Sequence, residues 1–199
     1  KEGRAYLDLA SSLLAEPQPR LIAIGGLSGA GKSTVAEAAA PMLGLPPGAR
    51  IVSTDRIRKS LHGVRPEQRL PVDAYRPEIS AKVYATMREM AQEALRAGCS
   101  AVADAVFDRP SERDAIEEVA REAEVPFDGV WLDAPIGAMT SRIKARTGDP
   151  SDATVEVLYG QFHRDLGVIA WRRIDTARDV ADIAAEALRM VPGESRTKN

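Results

Sequence analysis

The stretch from Gly26 to Ser33 reads GLSGAGKS and constrains the fold more than any other part of the chain. The short apolar run from Leu21 to Ile24 precedes it, and a helix of small residues begins near Lys32. The three glycines let the main chain turn tightly enough for its N–H groups to converge on one point. The pattern GxxxxGK[ST] between a strand and a helix is typical of a loop that cradles phosphates. We therefore expect this loop to bind a nucleoside triphosphate.

The polar residues of this loop have separate expected roles. Lys32 places a positive charge at the terminal phosphates, Ser33 offers a hydroxyl to Mg²⁺, and the helix that begins here adds its N-terminal dipole. A dinucleotide-binding turn is disfavoured, because Thr34 stands three positions after Gly31 where that turn needs glycine or alanine. ATP with Mg²⁺ is the expected ligand, and GTP is left open. The expected contacts are Gly26, Leu27, Ser28, Gly29, Ala30, Gly31, Lys32, Ser33 and Thr34.

The rest of the hydrophobic pattern alternates between strands and helices. β-rich runs at 50–54, 101–106, 127–132 and 168–174 follow the first strand. Helical periodicity covers 79–95, the segment after Pro110, 136–146, 152–166 and 178–191. This alternation predicts an α/β fold with a parallel sheet covered by helices on both faces. Ligands of such folds bind at the carboxyl ends of the strands.

The length of the chain fits one domain, which we place at 20–191, preceded by an N-terminal helix and linker at 1–19 and followed by a flexible tail at 192–199. The helix is expected over Gly3 to Ala15. The absence of a signal peptide and of an apolar run of about 20 residues predicts a cytoplasmic protein with no membrane partner. Because the first residue is Lys1, we expect a fragment of a longer protein.

The composition excludes several kinds of site. One cysteine and two histidines allow neither a disulfide framework nor a zinc-ligand pattern. The formal charge of -2 provides no general basic field for nucleic acid, and aromatic residues make up 5% of the chain, so no strip suited to base stacking stands out. A nucleic-acid partner is therefore possible but not favoured.

Asp55 stands at the carboxyl end of the predicted second strand, across the cleft from the terminal phosphate. A carboxylate there can accept the proton of an attacking hydroxyl, which makes Asp55 the candidate general base. The alternative is an N-cap for a helix that starts at Arg56. Arg58, three residues further, is expected to bind an anionic or hydroxyl-rich acceptor unless it is a solvated surface arginine. The excess of basic residues over 56–76 hints at a phosphorylated, carboxylated or nucleic-acid acceptor, with a solvated loop as the alternative.

Asp104 ends the predicted third strand and brings a second carboxylate to the same edge of the sheet. Three roles are open for it: holding Mg²⁺ with Ser33, directly or through water; orienting Arg58 or the acceptor; or a structural role. The sequence does not decide whether Asp104 or Asp55 lies in the magnesium shell. Downstream, Arg113 is the better acceptor-binding candidate of two arginines spaced four residues apart.

Arg142 and Arg146 are four residues apart on the helix that follows the predicted fourth strand, and they should project from one face of it. Two aligned guanidinium groups fit a catalytic clamp on the transferred phosphoryl group, and the turn beyond them would let a lid close. A solvated helix face is the alternative. Arg164 is a weaker third member, and His163 has no partner pattern and is expected at the surface or in packing.

A family resemblance combines these motifs. The chain resembles P-loop kinases that include polynucleotide 5′-kinases, gluconate-kinase-like enzymes and zeta toxins, and it looks most like bacterial AAA-type predicted kinases fused behind an aminoglycoside-phosphotransferase-like half. The segment from Gly3 to Ala10 looks like that junction. The resemblance implies strand order 2-3-1-4-5, a helical lid at about 142–166, and a machinery of Lys32, Asp55 and Arg146. The residues that carry it are GLSGAGKS, Asp55-x-x-Arg58, VADAVF around Asp104, and Arg142-x-x-x-Arg146.

The sequence thus favours an ATP-dependent kinase that transfers the γ-phosphate to a hydroxyl of a small-molecule or phosphorylated acceptor. A regulatory or sensing ATPase module of a larger protein is the alternative from a different class. A 5′-hydroxyl polynucleotide kinase is the main variant within the enzyme class. The acceptor and the oligomeric state are left open by the residues themselves.

Overall fold

A computed structural model describes residues 2–13, 18–146 and 150–189 of the chain. Its centre is a parallel sheet of five strands in the order β2-β3-β1-β4-β5, which confirms the topology that the family resemblance implies. The strands are β1 Leu21–Gly25, β2 Arg50–Ser53, β3 Ala101–Asp104, β4 Phe127–Asp133 and β5 Arg172–Asp175. The central strand β1 is flanked by β3 and β4, and all five of its residues are buried. A strand covered on both faces favours such a continuous apolar run.

Helices connect the strands and cover both faces of the sheet, as the strand–helix alternation predicts. Two short 3₁₀ turns lie at Ala40–Met42 and Val72–Tyr75. Across the described residues, no helix combines the length and the apolar character that a membrane crossing requires. The helices are α1 Glu2–Leu13, α2 Lys32–Ala39, α3 Thr54–Leu61, α4 Pro77–Arg96, α5 Pro110–Glu122, α6 Ile136–Ala145, α7 Val155–Phe162 and α8 Val180–Ala187.

The predicted boundaries differ most around the fifth strand. The helix expected over 152–166 ends at Phe162, and the strand expected over 168–174 begins only at Arg172. Between them, Gly167 adopts a positive φ of 61°, which neither a regular helix nor a strand accommodates. The last helix begins at Val180, because Asp179 caps it by accepting the N–H of Ala181 at 2.8 Å. The predicted ends of the first and last helices, at 14–15 and 190–191, and the predicted tail at 192–199 lie outside the described residues.

A tryptophan packs directly on the glycines of two central strands. Trp171 is 6% exposed and pairs edge to face with Phe107, with ring centroids 5.0 Å apart. A Cβ added to Gly129 of β4 would lie 2.4 Å from its Cγ, and one added to Gly25 of β1 would lie 3.0 Å from its ring. The indole therefore fills the space that side chains at these strand positions would occupy.

The close approach of Trp171 to β4 predicts a large effect of a single methyl group. We expect Gly129→Ala to lower the free energy of unfolding by about 1–3 kcal/mol, because the indole must move out of a packed core. Gly160→Ala is the matched control, since a Cβ there meets nothing within 4 Å and alanine favours the helix by about 0.5–1 kcal/mol. Urea unfolding of both variants measures the difference, and equal stability of the two would contradict the described packing.

Candidate active site

The phosphate loop leaves β1 at Gly26 and enters α2 at Lys32. Gly26 and Gly29 have φ values of 143° and 84°, and a Cβ at Gly29 would lie 2.7 Å from the carbonyl oxygen of Met139. Gly31, with φ 97°, is the N-cap of α2 and provides no side-chain cap. The first N–H groups of α2 are therefore not bound by a cap side chain and can bind an anion together with the helix dipole.

Lys32 folds back over the loop that precedes it. Its Nζ donates a hydrogen bond to the carbonyl oxygen of Leu27 at 3.1 Å. Burial lowers the pKa of the Lys32 ammonium, the carboxylates of Asp104 and Asp55 raise it, and the Arg146 guanidinium lowers it again. The ammonium thus stands in the field of charged groups from the end of β3, the start of α3 and the end of α6, where the terminal phosphates of a bound nucleotide would add negative charge.

Ser33 and Asp104 form a direct pair beside Lys32. The Ser33 hydroxyl donates to Oδ2 of Asp104 at 2.8 Å, and Asp104 is 3% exposed at the end of β3. Both residues also line a cavity of about 230 Å³ between α2, β2 and β3. A hydroxyl and a carboxylate are hard oxygen ligands of the kind that Mg²⁺ prefers, so this pair fits the predicted metal. In the described part of the chain, no group of three or more His, Cys, Asp and Glu residues could hold a metal ion.

Asp55 lies in the first turn of α3, and the structure corrects the N-cap alternative. The helix begins at Thr54 with Ser53 as its N-cap, so Asp55 is not the cap of a helix starting at Arg56. Burial raises the pKa of the Asp55 carboxyl, and Asp104 raises it further, while a hydrogen bond from Ser151 and the charge of Lys32 lower it. A carboxylate whose pKa is raised binds a proton more tightly than a free aspartate does, which suits Asp55 to accept one.

Arg58 lies one turn after Asp55 and is buried rather than solvated, with 6% exposure. One of its amino groups donates to the carbonyl oxygen of Ala74 at 2.7 Å, and its guanidinium carbon lies 4.7 Å from the centre of the Tyr75 ring. Its Nε is buried and has no hydrogen-bond partner among the described residues. The solvated-surface alternative for Arg58 is therefore wrong, and a buried donor is left next to Asp55.

The segment 150–166, which we call the returning segment, packs against α3. Asp152 accepts hydrogen bonds from Lys59 Nζ at 2.7 Å, Leu70 N at 2.9 Å and Tyr75 Oη at 2.8 Å. Lys59 is 1% exposed, so its charge is buried and balanced by the Asp152 carboxylate. Hydrogen bonds to that carboxylate lower its pKa in spite of the burial that raises it. The basic residues over 56–76 therefore do not form one solvated loop. Arg58 and Lys59 are buried, and Arg56 forms an ion pair with Glu37.

The two arginines that we expected on one helix face differ in their position on α6 and in their contacts. Because α6 ends at Ala145, Arg146 is its C-cap with extended backbone, and it approaches Lys32 closely enough to lower the pKa of that ammonium. Arg142 instead holds the outside of the phosphate loop. Its Nη1 donates to the carbonyl oxygens of Gly29 at 3.4 Å and Ala30 at 3.3 Å, and also to Thr176 Oγ1 at 3.2 Å. Both arginines thus lie near the phosphate loop, and their joint action on the transferred phosphoryl group stays a prediction. The turn at 147–149 lies outside the described residues.

Arg113 is also placed differently from its predicted contact with an acceptor. It is 3% exposed, and its guanidinium donates to the carbonyl oxygens of Phe107 at 2.8 Å, Leu166 at 2.7 Å and Val168 at 3.1 Å. Three main-chain acceptors engage these donors, so we correct its role to a structural one that joins the start of α5 to the chain after α7.

Arg164 reaches the site from the returning segment. Its Nη1 contacts Oδ2 of Asp108 at 2.5 Å, and Asp108 is 7% exposed and raises the pKa of Lys32. His163 is exposed, and its Nδ1 lies 2.7 Å from the carbonyl oxygen of Tyr159. This position agrees with the surface role expected for the histidine.

Sequence reasoning missed three of the polar groups in this site. Asp108 follows Phe107, whose φ of 52° is unusual for a residue with a side chain, and its charge raises the pKa of Lys32. Ser151 contacts Asp55, and Gln161 accepts the N–H of Ser28. Both residues belong to a segment that is distant from these partners in sequence. The second carboxylate in VADAVFD was a visible signal for Asp108, whereas neither Ser151 nor Gln161 belongs to a pattern in the sequence.

Known proteins share this architecture. A phosphate loop at the end of the central strand of a parallel sheet in this order defines a kinase-like P-loop domain. The model of a family described as an AAA domain matches residues 21–164, and the chain belongs to that family.

Two solved kinase structures are similar to this chain, one of them more so in sequence. The gluconokinase of Sinorhizobium meliloti 1021 is 26% identical, with a TM-score of 0.56 over 86% of this chain and 90% of its own. The APS kinase of Mycobacterium tuberculosis is 18% identical, with a TM-score of 0.57 over 85% of this chain and 95% of its own, which is a likeness of fold alone. An uncharacterised protein of Mycobacterium tuberculosis is 30% identical over 176 residues, or 86% of this chain. This chain spans about a third of the length of that relative (34%).

The raised pKa of Asp55 predicts how stability depends on pH. The carboxyl ionises less readily in the folded chain than in the unfolded one, where its pKa is about 3.9. Stability is therefore lost as pH rises from that value through the raised pKa. We expect Asp55→Asn to remove this loss and to raise the free energy of unfolding at pH 7 by about 1.4 kcal/mol for each tenfold rise in proton affinity.

Urea unfolding of the nucleotide-free protein at pH 3.5 to 8 measures this effect. The gain from Asp55→Asn should vanish at the acid end, where Asp55 is protonated in both states. Asp114→Asn, at an exposed position of α5, provides the control. A wild-type stability that rises with pH relative to Asp55→Asn would show that the carboxylate is stabilised in the site instead.

Proposed function

We propose that this protein is an ATP-dependent phosphotransferase that moves the γ-phosphate of ATP to a hydroxyl group of an acceptor. The observation that carries this proposal is the placement of Asp55 beside the phosphate loop: a carboxyl with a raised pKa lies within the electrostatic reach of Lys32. A protein that only binds or senses a nucleotide has no need of a proton acceptor at this point.

The chemistry follows from the positions of the charged groups. The acceptor hydroxyl gives its proton to an Asp55 oxygen as its own oxygen bonds to the γ-phosphorus and the bond to the β-phosphate oxygen breaks. Lys32 and Arg146 spread positive charge over the transferred group. Ser33 and Asp104 would hold Mg²⁺, which offsets the negative charge of the β- and γ-phosphates when bound.

Arg58 supports an acceptor that carries hydroxyl groups or an anion next to the reacting hydroxyl. Burial raises the pKa of the Asp55 carboxyl while the nearby charge of Arg58 lowers it, so this guanidinium would also attract an anionic or hydroxyl-rich group beside Asp55. The likeness to a gluconokinase favours a small alcohol acceptor, and the APS kinase likeness, in a structure with AMPPNP and APS, favours ATP as the donor. We favour a small molecule over a 5′-hydroxyl oligonucleotide as the acceptor of the phosphoryl group.

The curated relatives are about three times as long as the part of them that this chain matches, which extends the proposal to a longer protein. Because this chain spans 34% of such a relative, we propose that the phosphotransferase domain works as part of a longer chain. The resemblance of Gly3 to Ala10 to a domain junction favours a phosphotransferase-like domain on its N-terminal side. A regulatory ATPase remains the competing outcome, and the acceptor screen below distinguishes the two.

Substitution of the proposed base should separate transfer from binding. We expect Asp55→Asn to reduce the rate of phosphoryl transfer by about 10²–10⁴-fold, because the amide cannot accept the proton. The affinity for ATP should change little, since in this scheme Asp55 acts on the hydroxyl of the acceptor and does not bind the nucleotide. Single-turnover transfer from labelled ATP and equilibrium binding of a nucleotide analogue measure the two quantities. Full transfer activity of Asp55→Asn with intact ATP binding would reject Asp55 as the base.

Metal dependence should follow the Ser33 and Asp104 pair. We expect a chelator to abolish transfer, and Ser33→Ala to raise the Mg²⁺ concentration needed for half-maximal transfer by about tenfold, because one oxygen ligand is lost. Ser141→Ala, at an exposed position of α6, is the matched control. Unchanged Mg²⁺ dependence in Ser33→Ala would exclude the Ser33 hydroxyl from the metal shell.

An acceptor screen tests the function as a whole. Labelled ATP and Mg²⁺ are incubated with sugars and sugar acids, nucleosides, hydroxylated antibiotics and 5′-hydroxyl oligonucleotides, with Lys32→Met as the inactive control. Transfer to a small molecule supports the proposal, whereas salt-sensitive transfer to the oligonucleotide would assign a polynucleotide kinase. ATP hydrolysis without transfer to any class would favour the regulatory ATPase.

A further inference from the structure

Gln161 of α7 connects the returning segment to the phosphate loop. Its side chain is 7% exposed, and its Oε1 accepts the main-chain N–H of Ser28 at 2.9 Å in a buried hydrogen bond. A buried main-chain N–H requires a partner, and here the partner comes from a helix more than a hundred residues away in sequence. The Ser28 N–H therefore points towards α7 and not towards the phosphates.

The phosphate loop is held on its outer side by both helices that flank residues 146–154. From α6, Arg142 donates to the carbonyl oxygens of Gly29 and Ala30. From α7, Gln161 accepts from Ser28. These contacts engage polar groups that the loop directs outwards and leave the amides at the start of α2 for the phosphates. The outer contacts of the loop thus depend on where the two helices lie.

Gln161 also lies, along the chain, between two residues of the returning segment that contact carboxylates of the site, Ser151 and Arg164. One turn before it, Leu158 is fully buried and anchors the same face of α7. Three residues after it, Arg164 contacts Asp108. At the far end, Ser151 donates to Asp55. A fixed α7 therefore fixes the partners of two carboxylates near Lys32.

We propose that Gln161 is a positioning residue for phosphoryl transfer. By holding the Ser28 N–H it locks α7 onto the phosphate loop and keeps Arg164 and Ser151 seated on their carboxylates while the γ-phosphate moves. This inference rests on the proposed function, because it assigns Gln161 to the same reaction. Gln161 does not contact the nucleotide in this scheme, so its loss acts on the rate of transfer and not on the first binding of the nucleotide.

The first experiment compares Gln161→Leu with the wild type. Leucine keeps much of the volume and removes the acceptor oxygen. We expect kcat for phosphoryl transfer to fall by about 10- to 100-fold, the effect of leaving a buried N–H unpaired, while KM for ATP stays within about threefold. Gln92→Leu is the matched control, because Gln92 makes a side-chain hydrogen bond to Glu122 at 3.1 Å on the outer face of α4. It should leave both constants unchanged.

The second experiment reads the hydrogen bond directly by hydrogen exchange of the Ser28 amide in the nucleotide-free protein. Exchange in Gln161→Leu should be about 10- to 100-fold faster than in the wild type. Gln161→Glu keeps an acceptor oxygen at the same position and should restore the protection. This second variant also covers the case in which the leucine variant fails to fold.

Three results would overturn the proposal. They are an unchanged kcat in folded Gln161→Leu, a rise in KM for ATP that accounts for the whole loss of kcat/KM, and Ser28 exchange in Gln161→Glu that is as fast as in a variant without the acceptor. The exchange measurement needs no phosphate acceptor. A wild type that transfers phosphate to nothing would therefore contradict the proposed function, and the role of Gln161 in holding the loop would still stand or fall on the exchange rates.

Discussion

The charge of Lys32 balances a site that a parallel sheet makes electrostatically unfavourable. Parallel strands deliver the side chains at their carboxyl ends to one edge, and here that edge receives Asp55 and Asp104. Each carboxylate raises the pKa of Lys32, and the like charge of Asp104 raises the pKa of Asp55. Repulsion between two carboxylates is reduced because an ammonium stands near both and because one of them is protonated more readily.

Hydrogen bonds from neighbouring side chains also stabilise the carboxylates of the site. The Ser33 hydroxyl donates to Asp104, Ser151 donates to Asp55, and Arg164 pairs with Asp108. Two of these donors belong to the returning segment, so the packing of that segment beside the site also supplies hydrogen bonds to its carboxylates. The buried pair of Lys59 and Asp152 anchors the same segment to α3, where loss of one partner would leave a buried charge without compensation.

The sequence predicted the parts of the structure that local patterns determine. The apolar run before Gly26 and the glycine spacing up to Lys32 predict a strand, a tight loop and a helix, and the structure has all of these. Sequence position also placed Asp104 at the end of β3, whereas Asp55 lies just beyond β2, in the first turn of α3. The order of the strands came from family resemblance, since no local pattern contains it.

The arginines were the least predictable side chains, for a physical reason. A guanidinium has several donors and a long stem, so tertiary structure and not spacing decides which acceptor it finds. Arg113 and Arg142 both engage main-chain carbonyl oxygens that no sequence motif marks. Arg146 was expected within the helix, but it is the C-cap of α6, and its charge acts on Lys32 as the kinase resemblance implies.

The packing of Trp171 makes the intrinsic tryptophan fluorescence sensitive to the phosphate loop. The chain contains two tryptophans, Trp131 and Trp171, and both rings approach Gly25, the residue directly before the phosphate loop. Both are buried, so their emission depends on the immediate surroundings of this strand end and little on bulk solvent. Intrinsic fluorescence therefore observes the base of the loop from within the core, and a movement of the loop can be followed without attaching a dye.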